Sequence, residues 1–146
     1  MIAVLSQNLL GPMSLTLLAQ ARQELAHGRH QFAVVLTQVA CELRTEDAII
    51  EMMRKRKIEY LSDAVMNIFK TTSLGDERLR KIFAALAAAD PAQESWWSAW
   101  ITGRQLPHDV AHHADQVTPE QAQSCINAAA DFIAYVTTTV NGVRTE

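Results

Sequence analysis

The sequence predicts an all-α fold, an up-and-down helical bundle of four main helices with short helical inserts. Apolar residues recur at steps of three and four along most of the chain, which is the period of one helix face. Alanine-rich stretches at 84–89 and 128–130 favour helix, and only five Gly and four Pro are present to form turns. Because 49% of the 146 residues are hydrophobic and no linker or repeat interrupts them, we expect one domain over residues 1–146.

The first helix is expected over residues 13–27. It follows the breaker pair Gly11-Pro12 and stops at Gly28, a residue suited to the left-handed cap of a helix end. The preceding residues 1–11 fit either a short helix or an extended arm.

The longest helix is expected over residues 29–54, where apolar residues keep helical steps throughout. The same pattern continues over residues 58–69 and predicts a third helix there. Whether a turn separates these two helices stays open, because no helix-breaking residue lies between Met53 and Ile58.

A loop at residues 71–75 precedes a fourth helix. The apolar face of this helix contains Leu79, Ile82, Phe83 and Leu86. Asp90 and Pro91 predict the next helix start, since Asp90 can accept from exposed backbone N–H groups and Pro91 suits the first helical position. This fifth helix carries three tryptophans and is expected to end at Gly103.

Pro107 is expected to open a short sixth helix that reaches residue 114. Farther along, Thr118 and Gln121 have the spacing of a capping box. They predict the start of the last main helix, over residues 119–139.

Overall charge argues against a protein that holds long nucleic acids by electrostatics alone. The formal net charge is −3 and the pI is near 5.9, whereas such proteins are usually basic. The one basic run, residues 54–57, is interpreted as a solvated helix end whose charge matches the helix dipole.

Two features bear on the cellular compartment. Cys41 and Cys125 show neither a CxxC motif nor zinc-ligand spacing, so we interpret them as small core residues in a reducing compartment. The apolar start of the chain lacks the basic residues of a signal peptide, and no apolar run approaches the ~18 residues that a transmembrane helix requires. We therefore expect a cytoplasmic protein without a membrane segment.

Trp96, Trp97 and Trp100 lie within little more than one helical turn. Aromatic residues at this spacing usually belong to a core or a subunit interface. Base stacking or a ligand pocket is the less favoured interpretation.

The densest cluster of side chains that could act in catalysis or bind a metal is a histidine segment. It contains His108, His112 and His113, with Asp109 and Asp115 nearby in the sequence. If this segment is helical, His108 and His112 share one face at a spacing that can hold zinc. A neutral His can also act as a general base near physiological pH. A solvated polar loop with incidental histidines is the plain alternative. Nucleotide-binding, serine-nucleophile and di-iron motifs are missing, so no cofactor is predicted.

Two stretches carry a family resemblance. Residues 26–49 (AHGRHQFAVVLTQVACELRTEDAI) join a short turn to an apolar helix with an acidic residue, Glu42, near its centre. Residues 106–136 (LPHDVAHHADQVTPEQAQSCINAAADFIAYV) lead from a His-containing loop through a Val-Thr helix start into a long final helix. Both resemble the HEPN superfamily of small helical-bundle proteins from bacterial toxin–antitoxin and antiviral systems. The resemblance covers residues from about 15 to 140.

The resemblance implies a site as well as a fold. Many HEPN proteins are metal-independent ribonucleases that use an Arg, a polar residue after it and a His, with two protomers bringing their motifs together. Here His112 matches the family His, whereas the family Arg falls at Pro107 and its polar follower at His108. The nearest arginine is Arg104, one position farther from His112 than the pattern allows.

Three functions stay open from the sequence. The first is RNA cleavage in a toxin–antitoxin or phage-defence setting, by a homodimer with a cognate antitoxin or partner protein. In it Arg104 would stabilise the phosphate, His112 would act as acid or base, and His108 would support them. The second is a HEPN-like dimerisation or interaction module without catalysis. The third is a metal-binding bundle that uses His108 and His112.

Overall fold

Helices make up all the regular structure of the described residues, which confirms the predicted all-α class. The computed structural model describes residues 12–113 and 116–145, with the backbone alone for 108–113. The six α-helices are α1 (Met13–Ala26), α2 (His30–Lys55), α3 (Ser62–Met66), α4 (Glu77–Ala87), α5 (Trp97–His113) and α6 (Pro119–Gly142). Two single 3₁₀ turns, Glu59–Leu61 and Pro91–Gln93, complete them. None of the helices in this part of the chain is long and apolar enough to cross a membrane.

Helix α1 ends as predicted. Its last turn closes when His27 N–H donates to the Gln23 carbonyl, and Gly28 follows with a φ of +79°. A glycine adopts this left-handed conformation without the clash that a Cβ would cause. The tight turn sends α2 back antiparallel to α1.

A turn does separate α2 from the segment that follows, which answers the question left open by the sequence. Lys57 takes a φ of +59° directly after the helix ends. The predicted helix over residues 58–69 is correct only in part, because a 3₁₀ turn and the five-residue α3 replace it. None of the residues in the 3₁₀ turn or in α3 is buried, so packing does not hold a longer helix in place.

Helix α5 corrects three sequence predictions. It begins at Trp97, six residues after Pro91, and it continues through both Gly103 and Pro107. Gly103 is a packing residue and not a helix end: a Cβ there would lie 3.0 Å from Cys125 Sγ of α6. Pro107 opens no new helix, although it removes the N–H that would bond the Gly103 carbonyl.

The last helix starts at the predicted capping box. Thr118 Oγ1 accepts from Gln121 N–H at 3.1 Å, and Gln121 Oε1 accepts from Thr118 N–H at 3.0 Å. The helix then runs to Gly142, three residues beyond its predicted end.

The basic run is less solvated than predicted. Lys55 Nζ donates to the carbonyls of Val140 and Val143 at the end of α6, at 2.7 and 3.2 Å. Arg56 donates to the Leu86 carbonyl at the end of α4, at 2.8 Å. These cations therefore neutralise the negative ends of neighbouring helices, and α2, α4 and α6 end at the same pole of the bundle.

The core lies between α1, α2, α5 and α6, with α4 packed on α2. Its largest fully buried side chains are Phe83, Phe132, Ile49, Met52, Leu74, Leu79 and Ile126. Trp100 stacks on Phe132 with 4.7 Å between ring centroids, and Trp96 meets the same ring edge-on. The tryptophans thus belong to the core, as their spacing predicted.

Candidate functional site

Arg104, the predicted phosphate-binding residue, lies half-buried on α5. Both its side chain and its backbone carbonyl form hydrogen bonds. Its Nε donates to Ser73 Oγ at 2.7 Å, and its backbone carbonyl accepts from Gln38 Nε2 of α2 at 2.6 Å. The guanidinium rests directly on Gly75, because a Cβ at that position would lie 2.5 Å from the guanidinium carbon. Arg104 therefore ties the loop before α4 to the bundle.

That loop is itself well anchored. Ser73 is buried, and its Oγ accepts a second hydrogen bond from Gly75 N–H at 3.1 Å. Leu74 between them is fully buried in the core. Moving Arg104 outward would break the Ser73 bond while the loop stays in place, leaving a buried hydroxyl with one partner fewer.

Glu42 of α2 lines the same cavity as Arg104. Burial raises the pKa of the Glu42 carboxyl above its ordinary value, and the positive charge of Arg104 offsets part of that rise. The structure therefore brings together the acidic residue singled out by the family resemblance and the candidate arginine.

The cavity around these groups is small. It is lined by Thr37, Gln38, Cys41, Glu42, Thr45, Ser73, Trp100, Arg104, Cys125 and Ala129. The space open to the centre of a water molecule is about 20 Å³, close to what one enclosed water requires. A phosphodiester group does not fit into it without movement of the walls.

Both cysteines line this cavity as unreactive thiols. Burial raises the pKa of Cys41 to about 12, an effect partly opposed by a hydrogen bond from Trp100. Burial also raises the pKa of Cys125 to about 11. Thiols are nucleophilic as thiolates, so neither residue suits covalent catalysis at neutral pH. Both are free and buried, as expected of core residues.

The predicted histidines sit on the same continuous helix as Arg104. The backbone of α5 places His108 and His112 four and eight residues after Arg104, roughly 6 and 12 Å along the helix axis. Their side chains, like that of His113, lie outside the described part of the chain, as does Asp115. Whether His112 meets Arg104 stays a prediction.

Metal binding was predicted on the same histidines. The residues with described side chains contain no group of three or more His, Cys, Asp and Glu that could hold an ion. Because His108 and His112 are not among them, the metal prediction stays untested.

Sequence patterns did not reveal the contacts that fix Arg104. Ser73 and Gly75 were predicted to lie in a loop, and no pattern singled out Gln38. Each meets Arg104 across at least 29 positions of sequence, and no local motif reports a contact of that range.

A second notable surface is the outer face of α2. Phe32, Val35 and Val39 remain 48%, 44% and 40% exposed, and their spacing of three and four places them in one stripe. This α2 stripe ends one turn before Glu42.

Comparison of the chain with protein-family models, with curated proteins and with solved structures finds no match in any of the three. Function is therefore inferred from the contacts of this chain alone.

Proposed function

We propose that this chain is a HEPN-like interaction module that forms a homodimer through the α2 stripe and lacks catalytic activity. The observation that carries the proposal is the position of Arg104, whose guanidinium is committed to Ser73 and Gly75 inside a water-sized cavity. The arginine of the HEPN pattern is replaced by Pro107, so Arg104 is the nearest arginine for an Arg-His site. Its contacts support a structural role.

The α2 stripe supports pairing with a second copy. Exposed large apolar residues in a row lose unfavourable water contact when another surface covers them. A two-fold axis near Val35 would place two α2 helices antiparallel, with each stripe against the other.

Charge along α2 fits the same arrangement. The helix begins with Arg29 and His30 and carries Glu46 and Asp47 about four turns later. An antiparallel pair places the basic end of each helix toward the acidic segment of its partner, whereas a parallel pair would place like charges together. This complementarity favours a second copy of the chain as the occupant of the stripe.

Sedimentation velocity over a range of concentrations tests the pairing. We expect a dimer for the wild type and monomers for Val35→Glu and Val39→Glu, because a carboxylate in the stripe would be buried without a partner. Ile68→Glu is the matched control, since Ile68 is 62% exposed and lies outside α2; it should remain dimeric. A monomeric wild type, or dimeric stripe variants, would contradict the proposal.

A second candidate function is metal-independent RNA cleavage. It is favoured by the continuity of α5, which places His108 and His112 at regular helical steps after Arg104. Attack by a ribose 2′-hydroxyl needs a base, which His112 would supply, and a cation for the developing phosphorane charge. Arg104 would have to leave Ser73 to provide that cation.

RNA cleavage in EDTA separates the two candidates. We expect the folded, dimeric wild type to leave a labelled RNA intact. Cleavage that is lost in both Arg104→Ala and His112→Ala, and kept in the control Arg22→Ala on the exposed side of α1, would replace the first candidate with the second. Ser73→Ala sharpens the test, because it releases Arg104 and should increase any cleavage that depends on a mobile guanidinium.

A further inference from the structure

Positive charge is concentrated in one part of the chain. Residues 54–81 contain eight Lys and Arg against four Asp and Glu, a formal charge of +4. The rest of the chain contains five against twelve, a charge of −7. The overall value of −3 therefore conceals a segment of net positive charge.

The fold gathers these cations around α4. At the start of α4, the side chains of Arg78 and Lys81 are 70% and 76% exposed. At its end, Arg56 contacts the Leu86 carbonyl, and Arg144 joins Arg56 in lining an open groove beside Ala88. Helix α4 therefore links two basic clusters, and exposed alanines rather than acidic residues lie between them.

We propose that this cationic face, defined by Arg78, Lys81 and Arg144 around α4, binds the phosphodiester backbone of a single-stranded nucleic acid. Helix α4 has 11 residues and is about 16 Å long. A chain laid along α4 would meet cations at both ends. The small residues Ala85 and Ala88 in between let the backbone approach closely.

Arginine geometry supports a phosphate ligand. The guanidinium of Arg78 lies 5.3 Å from the centre of the Phe69 ring, and that of Arg80 lies 5.3 Å from the centre of the Trp97 ring. A ring beneath a guanidinium restricts its motion, and the N–H groups of Arg78 that do not bond Asp76 can donate to phosphate oxygens.

Existing ion pairs do not block the face. Arg78 contacts Asp76 at 3.1 Å and Lys81 contacts Glu77 at 3.3 Å, both at the surface. Exposed pairs of this kind are weak, so a polyanion can compete for the same cations.

The cationic face is separate from the α2 stripe and from the Arg104 cavity. It needs neither dimerisation nor an active Arg104 site, so its test is independent of the proposed function. The placement of cations at both ends of one helix favours a linear polymer as the ligand.

Fluorescence anisotropy with labelled RNA and DNA single strands of equal length tests the proposal. The test variant is Lys81→Gln with Arg144→Gln, one change at each end of α4. The matched control is Arg22→Glu at an exposed position of α1, which changes the net charge by the same amount. Thermal melts confirm that both variants are folded.

We expect salt-dependent binding by the wild type and the control. The plot of log Kobs against log salt should lose about 1.4 in slope for the test variant, roughly 0.7 for each phosphate contact removed. A preference for RNA or for DNA would identify which nucleic acid the cationic face binds. No binding, an equal loss in both variants, or binding to anionic lipid vesicles without binding to either strand would overturn the proposal.

Discussion

Ala88 offers a sharp test of how the ends of the helices are built. It caps α4 in the left-handed conformation, with φ +54° and ψ +37°, and its side chain is exposed. For a residue with a Cβ this conformation costs roughly 1–2 kcal/mol. Ala88→Gly removes that cost. The greater freedom of glycine in the unfolded chain lowers the free energy of unfolding by about 0.5–1 kcal/mol. We expect a net gain of about 0.5–1 kcal/mol in the free energy of unfolding.

The matched control is the same substitution at Ala134, an exposed position in the middle of α6. There the backbone is ordinary right-handed helix, so glycine should lower the free energy of unfolding by about 1 kcal/mol. Urea unfolding followed by circular dichroism measures both values, and unchanged m-values would show that only stability has changed. Two losses of similar size would refute the strain assigned to Ala88.

Three further predictions concern the site and its supporting helices. Gly103→Ala should destabilise the protein by roughly 1 kcal/mol in urea unfolding, because a Cβ pressed on Cys125 costs more than better helix propensity returns. Glu42→Gln should raise the Tm at pH 7, and the gain should shrink as the pH falls. Burial raises the pKa of this carboxyl, so its ionisation begins to oppose folding once the pH exceeds the ordinary pKa of a glutamate, and the penalty is complete above the raised pKa. A gain that is constant with pH would contradict this. Thr118→Ala should cost about 1 kcal/mol by removing the capping box, and Thr118→Ser, measured alongside, should retain most of it.

Local chemistry explains which parts of the fold were predictable. Gly28 and the pair Thr118 and Gln121 act on backbone groups within a few residues, so their effect is visible in the sequence alone. Helix periods, which depend on neighbouring residues, likewise predicted α1, α2, α4 and α6 to within a few positions.

Gly103 and Pro107 were misread for the opposite reason. Both usually end helices in isolation, yet α5 passes through them because its face against α6 is buried. The absent side chain of Gly103 lets Cys125 approach to van der Waals contact. Tertiary packing therefore overrides a local stop signal, and only the position of α6 reveals it.

Arg104 follows directly after Gly103, and this adjacency explains its role. The glycine brings α5 against α6, while the next residue projects to the loop at Ser73 and fastens it. One helical turn thus joins three parts of the bundle, and loss of Arg104 would loosen all of them. Arg104 in this position is poorly placed to follow a substrate phosphate, whereas Arg78 and Lys81 at α4 are exposed to solvent. The distribution of arginines between core and surface therefore favours nucleic-acid contact at α4 and scaffolding at Arg104.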